Sequence, residues 1–403
     1  MNVKKACMEG MSRTLQHEGS MKAIFYVVPM SILIASTALA QRGPSTAPST
    51  GPGARGRGGA GGGAAAVLSP EVHHDHTVTF RLQAPKASNV TLTGDWLASA
   101  EKLTKDDTGV WSVTRGPLEP GLAIYSFTMD GVAIADPVNP RMKLRARGSG
   151  SLVDVTGTGN ELWVPRDVPH GTVDINYHKS KVLNGDNREF RVYTPPEYDQ
   201  NPNTKYPVLY LLHGNNDTQA GWTDVGRANM ILDNLIADKK AVPMIVVMPF
   251  GHASTGATGQ FDFTRYFLED VMPTVEKSYR IAADRDHRAI VGYSMGGGQA
   301  LSIGLDHLEL FSAVGGFSPA VSGNVATRYK TLLDDPDGTN AKLKLLWVGC
   351  GRQDSLFQAD QSFAEAMNSS KIRTTWYPTE GRHTFTVWRK YLIEVAPLLF
   401  QTK

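Results

Sequence analysis

The segment His287-Arg-Ala-Ile-Val-Gly-Tyr-Ser-Met-Gly-Gly-Gly-Gln-Ala-Leu-Ser302 decides the fold of this 403-residue chain. It contains Gly-x-Ser-x-Gly over residues 292–296, a pattern that also arises by chance in a chain of this length. The context is more specific, because an apolar run typical of a strand precedes the serine and a helix-like run follows it. A serine on a sharp turn from strand to helix is exposed above a sheet. The segment therefore predicts Ser294 as a catalytic nucleophile.

A serine hydroxyl needs a base within hydrogen-bond reach to attack at neutral pH. In folds with such a turn, the partners follow in the order serine, acid, histidine. After Ser294 the chain contains only His307 and His383. His307 lies about three turns along the helix predicted after the serine, at 3.6 residues per turn, so it points away from the site. His383 precedes the last predicted helix in a loop, and we expect it to be the base.

The acid should lie beyond a strand end between the serine and the histidine. A strand is predicted over residues 343–348, and Gly349-Cys-Gly-Arg-Gln-Asp354 leads out of it. Asp335 and Asp337 precede that strand, and Asp360 falls within the following helix. We therefore expect Asp354 to orient the base and to stabilise its protonated form.

Attack of a serine on an acyl carbonyl also needs donors for the negative oxygen that develops there. One donor should be the N–H of Met295, the residue after the nucleophile. The second should come from the loop that follows an early strand, and Leu211-Leu-His-Gly-Asn215 is the candidate. We assign the Asn215 N–H, with Gly214 as the alternative, and expect His213 to pack and orient this loop.

The region 171–403 alternates predicted strands and helices. Buried strands are predicted at 208–212, 244–248, 289–291 and 343–348, and helices at 230–237, 267–279, 297–308, 359–367 and 386–399. This pattern indicates an α/β domain with a mostly parallel sheet. The preceding region 69–160 has short alternating stretches between turns, which indicates a small all-β sandwich. Trp96 and Trp111 are candidates for stacking on sugars there, although aromatic side chains on such strands are more often core.

Both regions resemble known families. The second resembles the esterase D and feruloyl esterase group of α/β-hydrolases, which includes acetylxylan and enterochelin esterases, in Leu211-Leu-His-Gly214, Gly221-Trp222, Gly292-Tyr-Ser-Met-Gly-Gly297, Gly349-Cys-Gly-Arg-Gln-Asp354 and His383-Thr-Phe-Thr-Val-Trp-Arg389. The first resembles the isoamylase-type early-set domain, which is related to glycogen-binding modules, in Gly94-Asp-Trp96, Gly109-Val-Trp111, Tyr125-Ser-Phe-Thr-Met-Asp-Gly131 and Asp136-Pro137. The resemblance implies a carboxylic ester hydrolase in which Ser294, Asp354 and His383 form the triad.

The resemblance is poorly specific for the substrate. Trp222, Phe250 and Phe263 follow early strands, where an aromatic acyl or sugar group can stack. Among the candidate activities, we rank removal of feruloyl or acetyl groups from xylan first. Hydrolysis of a siderophore ester of the enterochelin type is second, and acyl transfer is third. A glycan-binding protein with an inactive hydrolase fold is the alternative from another class. Since the triad and the oxyanion donors all follow residue 171, we expect that region alone to hydrolyse small esters.

Composition limits the other partners and cofactors. The net charge of +2 arises within the first 40 residues, and the charges balance beyond them, so no basic surface argues for nucleic acid. The chain has two cysteines, which excludes a disulfide framework. His73, His74, Asp75 and His76 do not converge on one metal ion, because successive strand residues point to opposite faces. We expect no cofactor and no metal.

The amino-terminal segment indicates export. Lys22, an apolar run over 23–40 and the ending Ala38-Leu-Ala40 fit a secretory signal peptide that is cleaved after Ala40. An uncleaved membrane anchor is the alternative. Residues 41–68 are rich in Gly, Pro and Ala and predict a flexible linker. We therefore expect a secreted or periplasmic protein with no stable membrane insertion after cleavage.

Overall fold

A computed structural model describes residues 67–255, 260, 261, 263–321 and 323–401. The predicted signal peptide, and the predicted linker up to residue 66, lie outside these residues. The first part of the described chain is all β. Its strands are β1 (Glu71–Val72), β2 (Val78–Gln83), β3 (Val90–Gly94), β4 (Glu101–Lys102), β5 (Thr104–Lys105), β6 (Val110–Arg115), β7 (Gly121–Met129), β8 (Val132–Ile134), β9 (Met142–Leu144) and β10 (Ser149–Val155).

These strands form two sheets around one apolar core. The first sheet has the order β1-β2-β6-β5, and the second has the order β4-β3-β7-β10-β9, with β8 pairing with β7. Alternate residues of β2, β3 and β7 point inward, and Phe80, Val90 and Phe127 are fully buried. Trp111 is also core, at 5% exposure, and its indole N–H donates to the Ala84 carbonyl at 2.9 Å. Its suggested role in sugar stacking is therefore wrong.

The second part alternates strands with helices. Its strands are β11 (Thr172–Lys179), β12 (Asn187–Thr194), β13 (Val208–Leu212), β14 (Ile245–Pro249), β15 (Ser254–Thr255), β16 (Gln260–Phe261), β17 (Arg288–Tyr293), β18 (Ala313–Phe317), β19 (Leu345–Gly351) and β20 (Thr375–Thr379). Its helices are α1 (Gly221–Asp224), α2 (Ala228–Ala237), α3 (Phe263–Arg265), α4 (Met272–Ser278), α5 (Met295–Asp306), α6 (Val325–Arg328), α7 (Lys330–Asp334), α8 (Pro336–Lys342), α9 (Phe357–Ser369) and α10 (Phe385–Val395).

The main sheet places the ends of its strands along one edge. Its order is β11-β12-β14-β13-β17-β18-β19-β20, with antiparallel pairs from β11 to β14 and parallel pairs from there to β20. The interior strands β13, β14 and β17 are buried along their whole length, as expected for strands covered on both faces. The loops after β13, β17, β19 and β20 consequently emerge at the same carboxyl edge. This is the mostly parallel α/β sheet that the sequence predicts.

Two predicted helices are divided by proline. The stretch 267–279 is a π-helical turn, Tyr266–Val271, followed by α4, which has Pro273 in its first turn. The stretch 386–399 is α10 followed by a 3-10 turn, Ala396–Leu398, which contains Pro397. Proline has no N–H to donate to the preceding turn, so the helical hydrogen-bond pattern changes next to each of these residues. No helix within the described ranges is long and apolar enough to cross a membrane.

Candidate active site

Ser294 lies at the turn between β17 and α5. Its backbone dihedrals, φ 54° and ψ −123°, fall outside the regions that residues with a Cβ normally adopt. A Cβ at Gly292 would stand 2.4 Å from the Gly296 carbonyl oxygen, and one at Gly296 would stand 2.4 Å from that of His213. The Ser294 N–H donates to the Phe317 carbonyl at 2.9 Å and holds the turn over the sheet. Glycine is therefore required on both sides of the serine.

His383 and Asp354 meet beyond the carboxyl edge of the sheet, after β20 and β19. His383 Nδ1 lies 2.6 Å from Asp354 Oδ2. The Asp354 side chain is fully buried, whereas that of His383 is 35% exposed. Asp354 also accepts the Leu356 N–H at 3.0 Å. Because the carboxylate holds the imidazole proton at Nδ1, Nε2 of the neutral ring is left to accept a proton.

The pKa values of Asp354 and of the nearby Asp360 are shifted in opposite directions. Burial acts to raise the pKa of Asp354, but hydrogen bonds from His383 and Leu356 and the His383 charge outweigh it, so this pKa lies below its usual value. Asp360 is fully buried on α9 beside the Cys350 thiol, and burial raises its pKa to about 8. At neutral pH Asp354 is ionised and Asp360 is protonated. The structure pairs Asp354, and not Asp360, with the histidine.

The loop after β13 is fixed beside the nucleophile by His213. This residue is buried, its Nε2 accepts the Gly251 N–H at 2.7 Å, and its Nδ1 lies 2.8 Å from the Gly214 carbonyl oxygen. Since Nε2 is an acceptor, the ring proton is on Nδ1 and donates to Gly214. Burial lowers the pKa of His213 to about 4, so this neutral tautomer persists at physiological pH. His213 therefore orients the loop, as the sequence predicts.

Two cavities open at the nucleophile. Ser294, His383 and Asn215 line both of them. The larger cavity has a volume of about 810 Å³, and Met295 and Phe263 contribute to its wall. The smaller one has a volume of about 160 Å³. The predicted triad serine and histidine and the predicted oxyanion residues are thus together at one place.

The amino-terminal β region forms part of the smaller cavity. Its wall includes Asp95, Ile124, Lys143 and Arg145, all of which precede residue 171. Desolvation raises the pKa of Asp95 to about 6, although an N–H of Ile124 and the charge of Arg145 oppose this effect. The predicted triad and oxyanion residues lie in region 171–403, and the β region supplies one wall of the smaller cavity. Hydrolysis of small esters by region 171–403 alone stays a prediction. The described residues of both regions belong to one compact unit.

The proposed substrate-contacting aromatic residues have different environments. Trp222 is fully buried, and its indole N–H donates to the Leu212 carbonyl at 3.0 Å, so its assignment to substrate contact is wrong. Helix α1 turns the side chain into the core instead of the rim. Phe250 packs against His213 at a centroid distance of 5.6 Å and supports the loop described above. Phe263 lines the larger cavity, although it is only 5% exposed.

The contributions of the β region had no signal in the sequence. Lys143 and Arg145 lie in and just after β9, a three-residue strand without a recognisable motif. Asp95 belongs to the Gly94-Asp-Trp96 segment, which indicates a sandwich domain and not an active site.

Within the part of the chain that the structure describes, no group of three or more His, Cys, Asp or Glu residues is placed to hold a metal ion.

The sheet, the serine turn and the His383–Asp354 pair define an α/β-hydrolase. The chain belongs to the Esterase family, whose match covers residues 180–398. It is 31% identical over 345 residues to an endo-1,4-beta-xylanase/feruloyl esterase of Xylanibacter ruminicola, which covers 82% of this chain and 46% of that protein. This chain therefore spans less than half the length of that relative.

Solved structures agree with this classification. A ferulic acid esterase is 30% identical with a TM-score of 0.51, and the match covers 57% of this chain and 97% of the other. The enterobactin esterase FES of Shigella flexneri, solved in the presence of enterobactin, has a TM-score of 0.58. It is 19% identical, and the match covers 80% of this chain and 92% of that one, which shows a shared fold.

Proposed function

We propose that this protein is a serine carboxylic-ester hydrolase that removes feruloyl or acetyl groups from plant polysaccharide such as xylan. The observation that carries the proposal is the joint placement of Ser294, the His383–Asp354 pair and the Asn215 loop around one cavity. A nucleophile, an oriented base and backbone donors in one place are what acyl transfer requires.

The arrangement supports a two-step reaction. His383 Nε2 takes the proton from Ser294 Oγ as that oxygen attacks the ester carbonyl. The N–H groups of Met295 and Asn215 stabilise the tetrahedral oxyanion. When the intermediate collapses, the bond between the acyl carbon and the sugar oxygen breaks, His383 gives its proton to that oxygen, and an acyl-enzyme remains on Ser294. A water molecule, deprotonated by the same histidine, then attacks the acyl carbonyl. The bond between the acyl carbon and Ser294 Oγ breaks, His383 returns the proton to Oγ, and the acid leaves.

The larger cavity supports an aromatic acyl group. Its wall combines Phe263 and Tyr329 with the apolar side chains of Leu301 and Val321. Aromatic rings gain from such surfaces through burial and from offset or edge contacts. The names of the Xylanibacter ruminicola relative and of the ferulic acid esterase structure point to the same acyl class.

A product assay tests this proposal. The protein is incubated with feruloylated arabinoxylan oligosaccharide and, separately, with acetylated xylan, and the released acids are quantified by chromatography. We expect release of ferulate or acetate by the parent protein and none by Ser294→Ala. A parent protein that releases neither acid, while hydrolysing p-nitrophenyl acetate, would refute the polysaccharide substrate but keep the esterase.

A siderophore esterase of the enterochelin type is the second candidate. The observation that favours it is Arg145 in the wall of the smaller cavity, since a cation beside the nucleophile suits an anionic acyl group. The same assay with enterobactin distinguishes the two candidates by the rates of hydrolysis. Faster hydrolysis of enterobactin than of either xylan ester would reverse their order.

We further propose that the protein is exported and acts in the periplasm or outside the cell. The support is the charged start, the apolar run and the Ala38-Leu-Ala40 ending in the sequence. Amino-terminal sequencing of the protein recovered from its native host should show a mature chain that begins at Gln41. A chain that retains residues 21–40 would favour the membrane anchor.

A further inference from the structure

Strand β9 of the amino-terminal region buries a charged residue and exposes its apolar residues. Met142 and Leu144 are 49% and 68% exposed, whereas Lys143 between them is 2% exposed. Alternate residues of a strand face opposite sides, so the lysine points inward and its apolar neighbours point to solvent. Lysine is almost never buried to this extent unless it is paired. The burial of Lys143 therefore indicates a specific partner for the ammonium group.

That partner is Asp217 of the hydrolase region. Lys143 Nζ pairs with Asp217 Oδ1, and the Tyr293 hydroxyl donates to Asp217 Oδ2. Asp217 is itself 6% exposed, and its Oδ1 also accepts the Thr218 N–H at 2.7 Å. The ammonium lies 5.8 Å from the centroid of the Phe385 ring. The carboxylate is thus held from both regions of the molecule.

The contacts of Lys143 reach the three catalytic segments. Asp217 lies two residues after Asn215, Tyr293 lies one residue before Ser294, and Phe385 lies two residues after His383. Lys143 contacts Asp217 and Phe385 directly and reaches Tyr293 through Asp217. Each of these three residues lies within two positions of a group that the proposed reaction uses. A single side chain from the β region therefore links the 214–218 loop that carries Asn215 (the oxyanion loop), the turn at Ser294 and the segment that follows His383.

The backbone that follows Lys143 also holds the oxyanion loop. The Arg147 N–H donates to Asn216 Oδ1 at 2.8 Å, and the Ala146 N–H donates to the Asn216 carbonyl at 3.3 Å. Asn216 has a φ of 58°, a left-handed conformation that asparagine adopts more readily than most other residues with a Cβ. On the other side of the loop, a Cβ at Gly214 would stand 2.4 Å from the Tyr293 ring. The loop is fixed between the β region and the residue before the nucleophile.

We infer that Lys143 is a positioning residue for ester hydrolysis, which holds the 214–218 loop and Tyr293 so that the Asn215 N–H meets the developing oxyanion. This inference rests on the proposed function. Stability alone does not account for the pair, because buried ion pairs replaced by apolar residues often leave stability unchanged or raise it. A displaced oxyanion donor, in contrast, reduces turnover directly, and the loss of one such donor costs on the order of 100- to 1,000-fold.

Lys143→Met tests the inference because it keeps an unbranched side chain and removes the charge. We expect kcat for p-nitrophenyl acetate to fall by about 30- to 100-fold with KM within threefold, since the donor acts mainly on the transition state. Inhibition by phenylboronic acid should weaken by a similar factor, because its tetrahedral adduct on Ser294 places an oxygen in the oxyanion hole. The matched control is Lys390→Met, which removes the exposed 2.9 Å pair with Glu119 between the same regions and should leave kcat within twofold.

The double variant Lys143→Met/Asp217→Asn separates positioning from folding. Lys143→Met alone leaves a buried carboxylate without its cation, and this can lower the melting temperature. In the double variant the stability should recover while kcat stays low. Recovery of both stability and kcat, or a folded Lys143→Met variant with kcat within twofold of the parent, would overturn the inference. An inactive parent protein would instead refute the proposed function itself.

Discussion

The two regions of the molecule contribute to one site in different ways. In the α/β region, the proposed reactive groups follow strand ends in short segments with strained backbones, such as the Gly292-Tyr-Ser-Met-Gly296 turn. In the β region, Lys143 reaches the same site from a strand whose sequence has no motif. Local geometry leaves a pattern in the sequence, whereas docking between regions does not. The proposed reactive residues of a site can therefore be predicted from the sequence, while the residues that another region adds to its wall cannot.

The largest expected effect concerns the α/β region. Ser294→Ala should reduce turnover of p-nitrophenyl acetate by about 10⁵- to 10⁶-fold, because the attacking oxygen is lost and the other triad residues cannot act alone. The melting temperature should change by less than a few degrees. Turnover within tenfold of the parent would show that the nucleophile lies elsewhere.

The acid of the triad gives the next effect in size. Asp354→Asn should lower kcat by about 10⁴-fold, because an amide no longer holds the His383 proton at Nδ1. Asp360→Asn is the matched control, since burial keeps that carboxyl protonated and it lies beside Cys350. Its kcat should stay within a few-fold of the parent. A greater loss in Asp360→Asn than in Asp354→Asn would contradict the observed pairing.

Removal of the β region should have a smaller but still large effect. Leu122, Ile124 and Leu152 of that region share one apolar cluster with Tyr293 and Trp388, which flank the nucleophile and the base. A variant that begins at residue 168 should therefore lose at least about 100-fold in kcat/KM for p-nitrophenyl acetate, a loss comparable to that of an oxyanion donor. A variant that begins at residue 67 serves as the control. A folded truncation with a rate within threefold of this control would show that the β region does not support the site.

The sequence predicts the α/β sheet, Ser294 and the His383–Asp354 pair because each depends on local requirements. A strained turn needs flanking glycines, and buried parallel strands need continuous apolar runs. It does not predict the burial of Trp222, since a short helix after β13 turns that side chain into the core. Nor does it predict Lys143, because the partner that compensates its charge lies 74 residues away in the chain.

The smallest effect concerns the support of the oxyanion loop by His213. Its pKa is about 4 in the folded protein and about 6.5 in an unfolded chain, so protons bind preferentially to the unfolded state. The stability from this group is complete above pH 6.5 and is lost as the pH falls toward 4. Between pH 7 and pH 5 the loss is about 2 kcal/mol.

Urea unfolding of the parent and of His213→Gln at both pH values measures this contribution. Glutamine supplies a donor and an acceptor but does not titrate, so the parent should lose about 2 kcal/mol more than the variant between pH 7 and pH 5. His178 and His252, whose pKa values burial also lowers, remain in both proteins and cancel in the comparison. Equal losses would show that His213 is not held neutral.

The central claim is that both regions form one site in which Ser294 carries the acyl group. Mass spectrometry of the protein after reaction with a p-nitrophenyl phosphonate measures this directly, since the reagent leaves a stable adduct on an activated serine. We predict one adduct per chain, on the peptide that contains Ser294, and about 30-fold slower labelling in a folded Lys143→Met variant, in line with the loss of an oxyanion donor. An adduct on another residue, or equal labelling rates in the two proteins, would contradict the account.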